Sequence, residues 1–164
     1  MGLEIRLARA DELDSVGALT VEAYRADGLL VEDDFYVAHL ADAAARSAEA
    51  ELWVAADDGE VLGTVTFCPP GTPWAELAGD GEGEFRMLAV APSARRRGVA
   101  HALVDHCIRR SRDLEYDALV LSSLGQMSGA HHLYEALGFV RAPSRDWTPA
   151  PGVDLLAFRL PLPY

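Results

Sequence analysis

The stretch Glu84-Phe85-Arg86-Met87-Leu88-Ala89-Val90-Ala91-Pro92-Ser93-Ala94-Arg95-Arg96-Arg97-Gly98-Val99-Ala100 decides the fold. Its first half reads as an apolar strand that stops at Pro92, and its middle as a basic turn that ends at Gly98. Beyond the turn Val99, Ala100, Leu103, Val104, Cys107 and Ile108 recur at helical spacing, which predicts a helix to about Arg112. A helix start presents unpaired N–H groups and a partial positive charge, so a phosphate can sit there. Gly98 lets backbone approach such a group because it has no Cβ. Ala100 keeps the next turn small, and Arg95, Arg96 and Arg97 add forked donors. A solvated basic turn before an ordinary helix is the plainer reading of the same residues. The chain has neither a Gly-x-Gly-x-x-Gly run nor a phosphate-loop Gly-Lys-Ser/Thr.

Upstream, Leu52 to Ala56 and Val61 to Phe67 read as strands joined by the hairpin turn Asp57-Asp58-Gly59-Glu60. Pro69, Pro70, Gly71 and Pro73 open a loop to about Gly83, with Trp74 and Leu77 as its only large apolar residues. Long loops in compact domains are often functional. At the N-terminus Glu4 to Ala8 alternates like a strand. Asp11 is placed to cap a helix that Asp27-Gly28 ends, and a second helix is expected from about Asp33 to Ser47. Between the helices, Gly28-Leu29-Leu30-Val31 reads either as a substrate-facing lip or as core.

Downstream, Ala118 to Ser122 is a continuous apolar strand of the kind covered on both faces. Ser128 or Gly129 starts a short helix that turns Ala130, Leu133, Tyr134 and Leu137 inward, with Gly138 at its C-terminal cap. A strand at Phe139-Val140, a Pro-rich loop holding Arg145-Asp146-Trp147, and a last strand at about Leu155 to Leu160 complete the chain. This order of elements is that of a mixed α/β sheet.

The chain has 164 residues, 26 acidic against 14 basic, for a net charge of −12. Such a balance argues against general nucleic-acid binding, which needs a basic footprint. The start carries charges at Glu4 and Arg6 and no apolar run, so no signal peptide is expected, and no stretch approaches a membrane span. Cys68 and Cys107 read as buried free thiols, which fits a cytoplasmic protein. No metal site is expected, because the adjacent His131 and His132 point about 100° apart on a helix.

Taken together, the Glu84–Val90 strand, the Arg95-x-x-Gly98-x-Ala100 turn and Leu133-Tyr134-Glu135-Ala136-Leu137-Gly138-Phe139 resemble the GNAT superfamily of acyl-CoA-dependent N-acetyltransferases. The resemblance covers residues 52 to 140 well and the N-terminal helices loosely. It implies one α/β domain over residues 1–164. The sheet would be central, mixed and mostly antiparallel, of six to seven strands flanked by about four helices. It also implies acetyl-CoA lying where the Glu84–Val90 strand splays from the Ala118–Ser122 strand. Backbone groups of Leu88, Ala89 and Val90 would hold the pantetheine arm, with the Leu88 N–H facing the thioester oxygen. The amides from Arg96 through Arg97, Gly98, Val99 and Ala100 to His101 would hold the pyrophosphate.

Glu84 is the candidate general base, with Glu82 in reserve, and Tyr134 is the candidate acid for the departing thiolate. Family members often carry Asn seven residues before this Tyr; here Met127 stands there, so Ser128 is the substitute contact. The acceptor expected is a primary amine, either a small cationic molecule favoured by Asp33, Asp34, Asp80, Glu82 and Glu84 or a peptide N-terminus, with Trp74 in the acceptor pocket. A non-catalytic acyl-CoA sensor, or transfer of another acyl chain or to another acceptor, is the alternative. A homodimer is an admitted assembly. Asp146 and Trp147 are expected to pack rather than to form an amine pocket.

Overall fold

Period-two alternation between turn-forming residues builds eight strands: β1 (Glu4–Leu7), β2 (Glu51–Asp57), β3 (Glu60–Cys68), β4 (Glu82–Val90), β5 (Ala118–Leu124), β6 (Val140–Arg141), β7 (Trp147–Ala150) and β8 (Val153–Pro161). Five helices accompany them: α1 (Leu13–Ala26), α2 (Asp34–Ala41), α3 (Ala43–Glu49), α4 (Val99–Asp113) and α5 (Ser128–Ala136). This computed structural model describes residues 2–28 and 34–162. The strands form one sheet in the order β1-β2-β3-β4-β5-β8-β6, with β7 paired to β8. Every neighbouring pair is antiparallel except β4 and β5. The mixed, mostly antiparallel expectation therefore holds, with one more strand and one more helix than the sequence suggested.

Three departures have physical causes. The second N-terminal helix is two helices. Asp42 leaves the helical conformation at φ −82°, ψ 64°, and its carboxylate accepts the Ala45 N–H. Arg46, fully buried, turns its guanidinium onto the carbonyls of His39 and Leu40 and so closes the end of α2. Around Trp147 the expected loop is an edge strand, where Pro149 removes no needed ladder bond. Asp11 is not the cap of α1: a tight turn over Ala10–Glu12 precedes the helix, and the Glu12 carboxylate accepts the Arg9 N–H and pairs with Arg6. Leu29, Leu30, Val31 and Asp33 lie outside the described residues. No helix among the described residues is long and apolar enough to cross a membrane.

The sheet has two covered faces. On one, Phe67, Phe85, Leu119 and Leu121 pack against Leu103, Val104 and Cys107 of α4 and Tyr134 of α5. On the other, Cys68, Met87 and Ala89 pack against Ala23 and Tyr24 of α1 and Leu40 of α2. Both cysteines are buried and free.

One feature of the sheet positions the site. β4 and β5 pair only over Glu82–Glu84 and Ala118–Val120, and beyond that point they diverge. The register between β3 and β4 slips at Thr64/Thr66, and Met87 there adopts φ 53°. A bulge of this kind bends a strand and sharpens its twist, which turns β4 away from β5. The edge of β4 facing β5 is left without a strand partner from Phe85 to Val90.

Candidate active site

The fork opens into a groove of about 420 Å³. Leu88, Ala89 and Val90 form one wall. Gln126, Met127, Ser128, Gly129 and Ala130 form the other, with Leu133 and Tyr134 beneath them. Ala23, Tyr24 and Asp27 cover it from α1, and Arg95 and Ala100 stand at its far mouth. Leu88, Ala89, Val90, Arg95, Ala100, Ser128 and Tyr134, all expected around a cofactor, thus meet in one place. At the crotch lies a hollow of about 30 Å³, lined by Tyr24, Phe85 to Leu88, Ser122, Ser123, Met127 and Tyr134.

The basic turn runs from the end of β4 into α4. Arg96 and Gly98 both take left-handed backbone, at φ 65° and 76°. The first helical bond is donated by Ala102 to the Gly98 carbonyl. The N–H groups of Val99, Ala100 and His101 are therefore the unpartnered donors of the helix start, and alternating left-handed residues make a concavity suited to an anion. The three arginines divide. Arg95 bridges to Asp27 of α1 at 2.8 Å and reaches the Val90 carbonyl. Arg97 pairs with Asp57 at 2.9 Å, outside the groove. Arg96 is exposed. Gly98 has open space where a Cβ would stand, so its left-handed φ, more than any close approach within the protein, demands glycine.

Tyr134 is held in an aromatic cluster, with Phe85, Phe139 and Phe158 at centroid distances of 5.8, 5.9 and 5.8 Å. Burial pushes its phenol well above the usual range. It stays protonated through neutral pH and can donate. Ser128 opens α5 and lines the groove, and Met127 occupies the helix cap with its sulfur near the Ser123 hydroxyl. His131 braces this wall through Ser123 Oγ and the Leu124 carbonyl, each at 3.0 Å.

The two glutamates of β4 differ. Glu82 is gripped by Arg145 and Arg159, and these contacts hold its carboxyl down at about 2. That pairing leaves it no role as a reserve base. Glu84 is 1% exposed, and its Oε1 accepts the N–H groups of Glu76, Leu77 and Ala78 at 2.9, 2.8 and 3.0 Å. Oε2 has no hydrogen bond or ion pair among the described residues. Burial raises the Glu84 carboxyl above its ordinary value.

The structure separates Trp74 from the groove. The guanidinium groups of Arg46 and Arg86 stand 5.9 and 5.7 Å from its ring, and its N–H donates to Glu49. An aromatic already faced by two cations is not placed to receive a cationic acceptor. Arg145, Asp146 and Trp147 pack: onto Glu82, onto Arg141 and the Ala157 N–H, and onto Ser122 Oγ respectively. Sequence reasoning missed Tyr24, Asp27 and Gln126 in the walls and Arg86 at the crotch. The alternation that pointed Glu84 to one face of β4 also points Arg86 there.

Comparison with known proteins agrees with this arrangement. The model of the acetyltransferase (GNAT) family matches residues 15–139. A probable N-acetyltransferase family 8 member 5 of Mus musculus is 35% identical over 95 residues, covering 58% of this chain and 40% of its own length. N-acetylaspartate synthetase of Danio rerio is 32% identical over 102 residues, covering 62% of this chain and 34% of its own. The chain therefore spans less than half the length of these relatives. The PaiA N-acetyltransferase of Thermoplasma acidophilum, solved in complex with coenzyme A, superposes with a TM-score of 0.77 over 99% of this chain and all of that one, at 14% identity.

Proposed function

The chain belongs to the acetyltransferase (GNAT) family, and from that premise we propose that it transfers an acetyl group from acetyl-CoA directly to a primary amine. The observation that carries this reading is the fork. A free strand edge runs from the crotch, where Tyr134 stands, to the unpaired amides of Val99, Ala100 and His101. That is the shape of an extended thioester with a pyrophosphate at its far end, and the groove fits such a donor.

Acetyl-CoA supplies the reactive thioester, and the chain's own groups do the rest. The free edge of β4 pairs with the pantetheine amides as a further strand would. The Leu88 N–H would donate to the thioester oxygen, where such a contact is typically worth ~3 kcal/mol. Glu84 lines neither the groove nor the hollow, so as base it would take the proton of the ammonium only through water; an amine with pKa near ~10 cannot attack while protonated. Its raised pKa brings it nearer the working pH of a base. The Tyr134 phenol, kept protonated by burial, would supply the proton for the sulfur.

Of the two acceptor classes the sequence suggested, a small cation loses its ground. Glu82, one of the acids behind that expectation, is neutralised by two arginines. An α-amine, of an amino acid or of a peptide N-terminus, is the class favoured. The relative named for making N-acetylaspartate supports it. Two buried free thiols suit a reducing cytoplasm.

The test is release of CoA thiol from acetyl-CoA against a panel of amines, with Tyr134→Phe alongside. The variant should lose about 10²-fold in kcat while its KM for acetyl-CoA stays within about twofold. An unchanged kcat removes the acid role, and no thiol release with any amine would sink the transfer reading in favour of a non-catalytic acyl-CoA sensor.

A further inference from the structure

Resting on the acyl-transfer reading, we infer that Arg86 anchors a carboxylate of the acceptor, which is therefore a primary amine of the α-amino-acid type with its carboxylate beside the amino group. Among the residues lining the hollow at the crotch, Arg86 alone is a charged type, and its guanidinium is held just outside the lining, on Trp74 and Glu76. Arg86 shares that hollow with Leu88 and Tyr134, the groups that meet the thioester. The hollow of about 30 Å³ admits little more than a water or the reacting head of a ligand. Whatever carries the amine into it must place its next polar group against Arg86.

The neighbouring acids do not reverse this preference. Glu82 is engaged by Arg145 and Arg159. Glu84 is buried under the 76–78 backbone. Glu76 is itself Arg86's ion-pair partner, at 2.9 Å. A second guanidinium, that of the fully buried Arg46, lies 5.9 Å from the Trp74 ring. A cation entering the hollow meets Arg86 and no acidic residue in its lining, whereas an anion meets complementary charge.

Arg86 is built to be held still. Its guanidinium lies over the Trp74 ring at 5.7 Å, and one nitrogen donates to the Trp74 carbonyl at 3.2 Å. Trp74 is fixed in turn by Glu49. The contacts to Trp74 and Glu76 occupy two of the five N–H donors of a guanidinium, so a forked carboxylate can still be received.

The deciding experiment is calorimetric titration of the CoA-loaded protein with N-acetyl-L-alanine, N-acetyl-L-aspartate and N-acetyl-L-phenylalanine, each against its α-carboxamide. These are transfer products, so amine basicity does not enter and turnover is not needed. The wild-type protein should bind at least one acid ten times more tightly than its amide. Arg86→Met should reduce that ratio below two, and Arg86→Lys should keep part of it. Glu76→Gln, which removes the competing carboxylate, should tighten acid binding several-fold, a change that a purely structural Arg86–Glu76 pair would not produce.

Equal binding of acid and amide in all three pairs, or a ratio that survives Arg86→Met, overturns the assignment. Thiol release is scored separately with the free amino acids. Release without acid selectivity removes Arg86 and leaves acetyl transfer standing. Acid selectivity without release leaves the anchor standing and removes the transfer.

Discussion

Glu82 and Glu84 sit two positions apart on the same face of β4, yet their surroundings move them in opposite directions. Arg145 and Arg159 hold Glu82 down at about 2, against an ordinary 4.5. Its contribution to stability is complete above pH 4.5 and lost as pH falls toward 2. Burial raises Glu84. Its contribution is complete below pH 4.5 and lost as pH rises through the raised folded value. Melting temperatures from pH 2 to 8 should show both. Glu82→Gln should lower stability at neutral pH and remove the acid-side loss. Glu84→Gln keeps a carbonyl for the 76–78 amides, so it should flatten the neutral-side loss while cutting kcat about 10²-fold at neutral pH. A Glu84→Gln enzyme with full activity would strip Glu84 of the base role. Both carboxylates were legible in the sequence, but their fates were not. The partners Arg145 and Arg159 lie 63 and 77 residues away, and no local pattern reports a pairing across that distance.

At the scale of elements, the N-terminal helices form the roof of the groove, and their fit is set by one small residue. Gly17, in the middle of α1, faces the backbone of α2 so closely that a Cβ there would collide with the Ala41 carbonyl. By helix propensity alone Gly17→Ala should stabilise. Here it must push the helices apart, at about 2 kcal/mol, which lowers Tm by roughly 4–8 °C in a chain of this size. A thermal melt decides it, and an unchanged or higher Tm refutes the close packing. Elements whose signal is local were legible: the Asp58-Gly59 hairpin, the strand into Gly98, and the Gly138 cap with φ 101°. The break between α2 and α3 was not. Six of residues 38 to 45 are Ala or Leu and read as one helix; what divides them is Asp42 leaving the helical conformation to cap α3, with Arg46 folding back onto the carbonyls of His39 and Leu40. The strand at Trp147 was hidden too, since Pro149 within it and Pro143 and Pro151 around it read as loop until β8 offered a ladder.

For the whole molecule, the groove is where the parts become one object. It is walled by β4 and the start of α5, roofed by α1 and ended by the turn into α4. Arg95 already ties two of these pieces together through Asp27. A donor lying along the groove touches all of them and binds only the folded chain, so it must stabilise the whole fold by mass action. At a hundred times its Kd, CoA should add ~2.7 kcal/mol, roughly 5–10 °C in Tm. Pantetheine, which lacks the pyrophosphate, should give distinctly less at equal concentration, because it leaves the Val99, Ala100 and His101 amides unpaired. Gly98→Val forces a β-branched residue into left-handed backbone, at a cost of order 1–3 kcal/mol. It should weaken CoA binding more than tenfold. Arg97→Ala removes only an exposed pair with Asp57, worth at most ~1 kcal/mol, and should weaken it less than threefold. Comparable losses in the two variants would mean that side-chain charge, rather than the aimed backbone amides, holds the pyrophosphate. A shift with pantetheine equal to that with CoA would remove the turn from the site altogether.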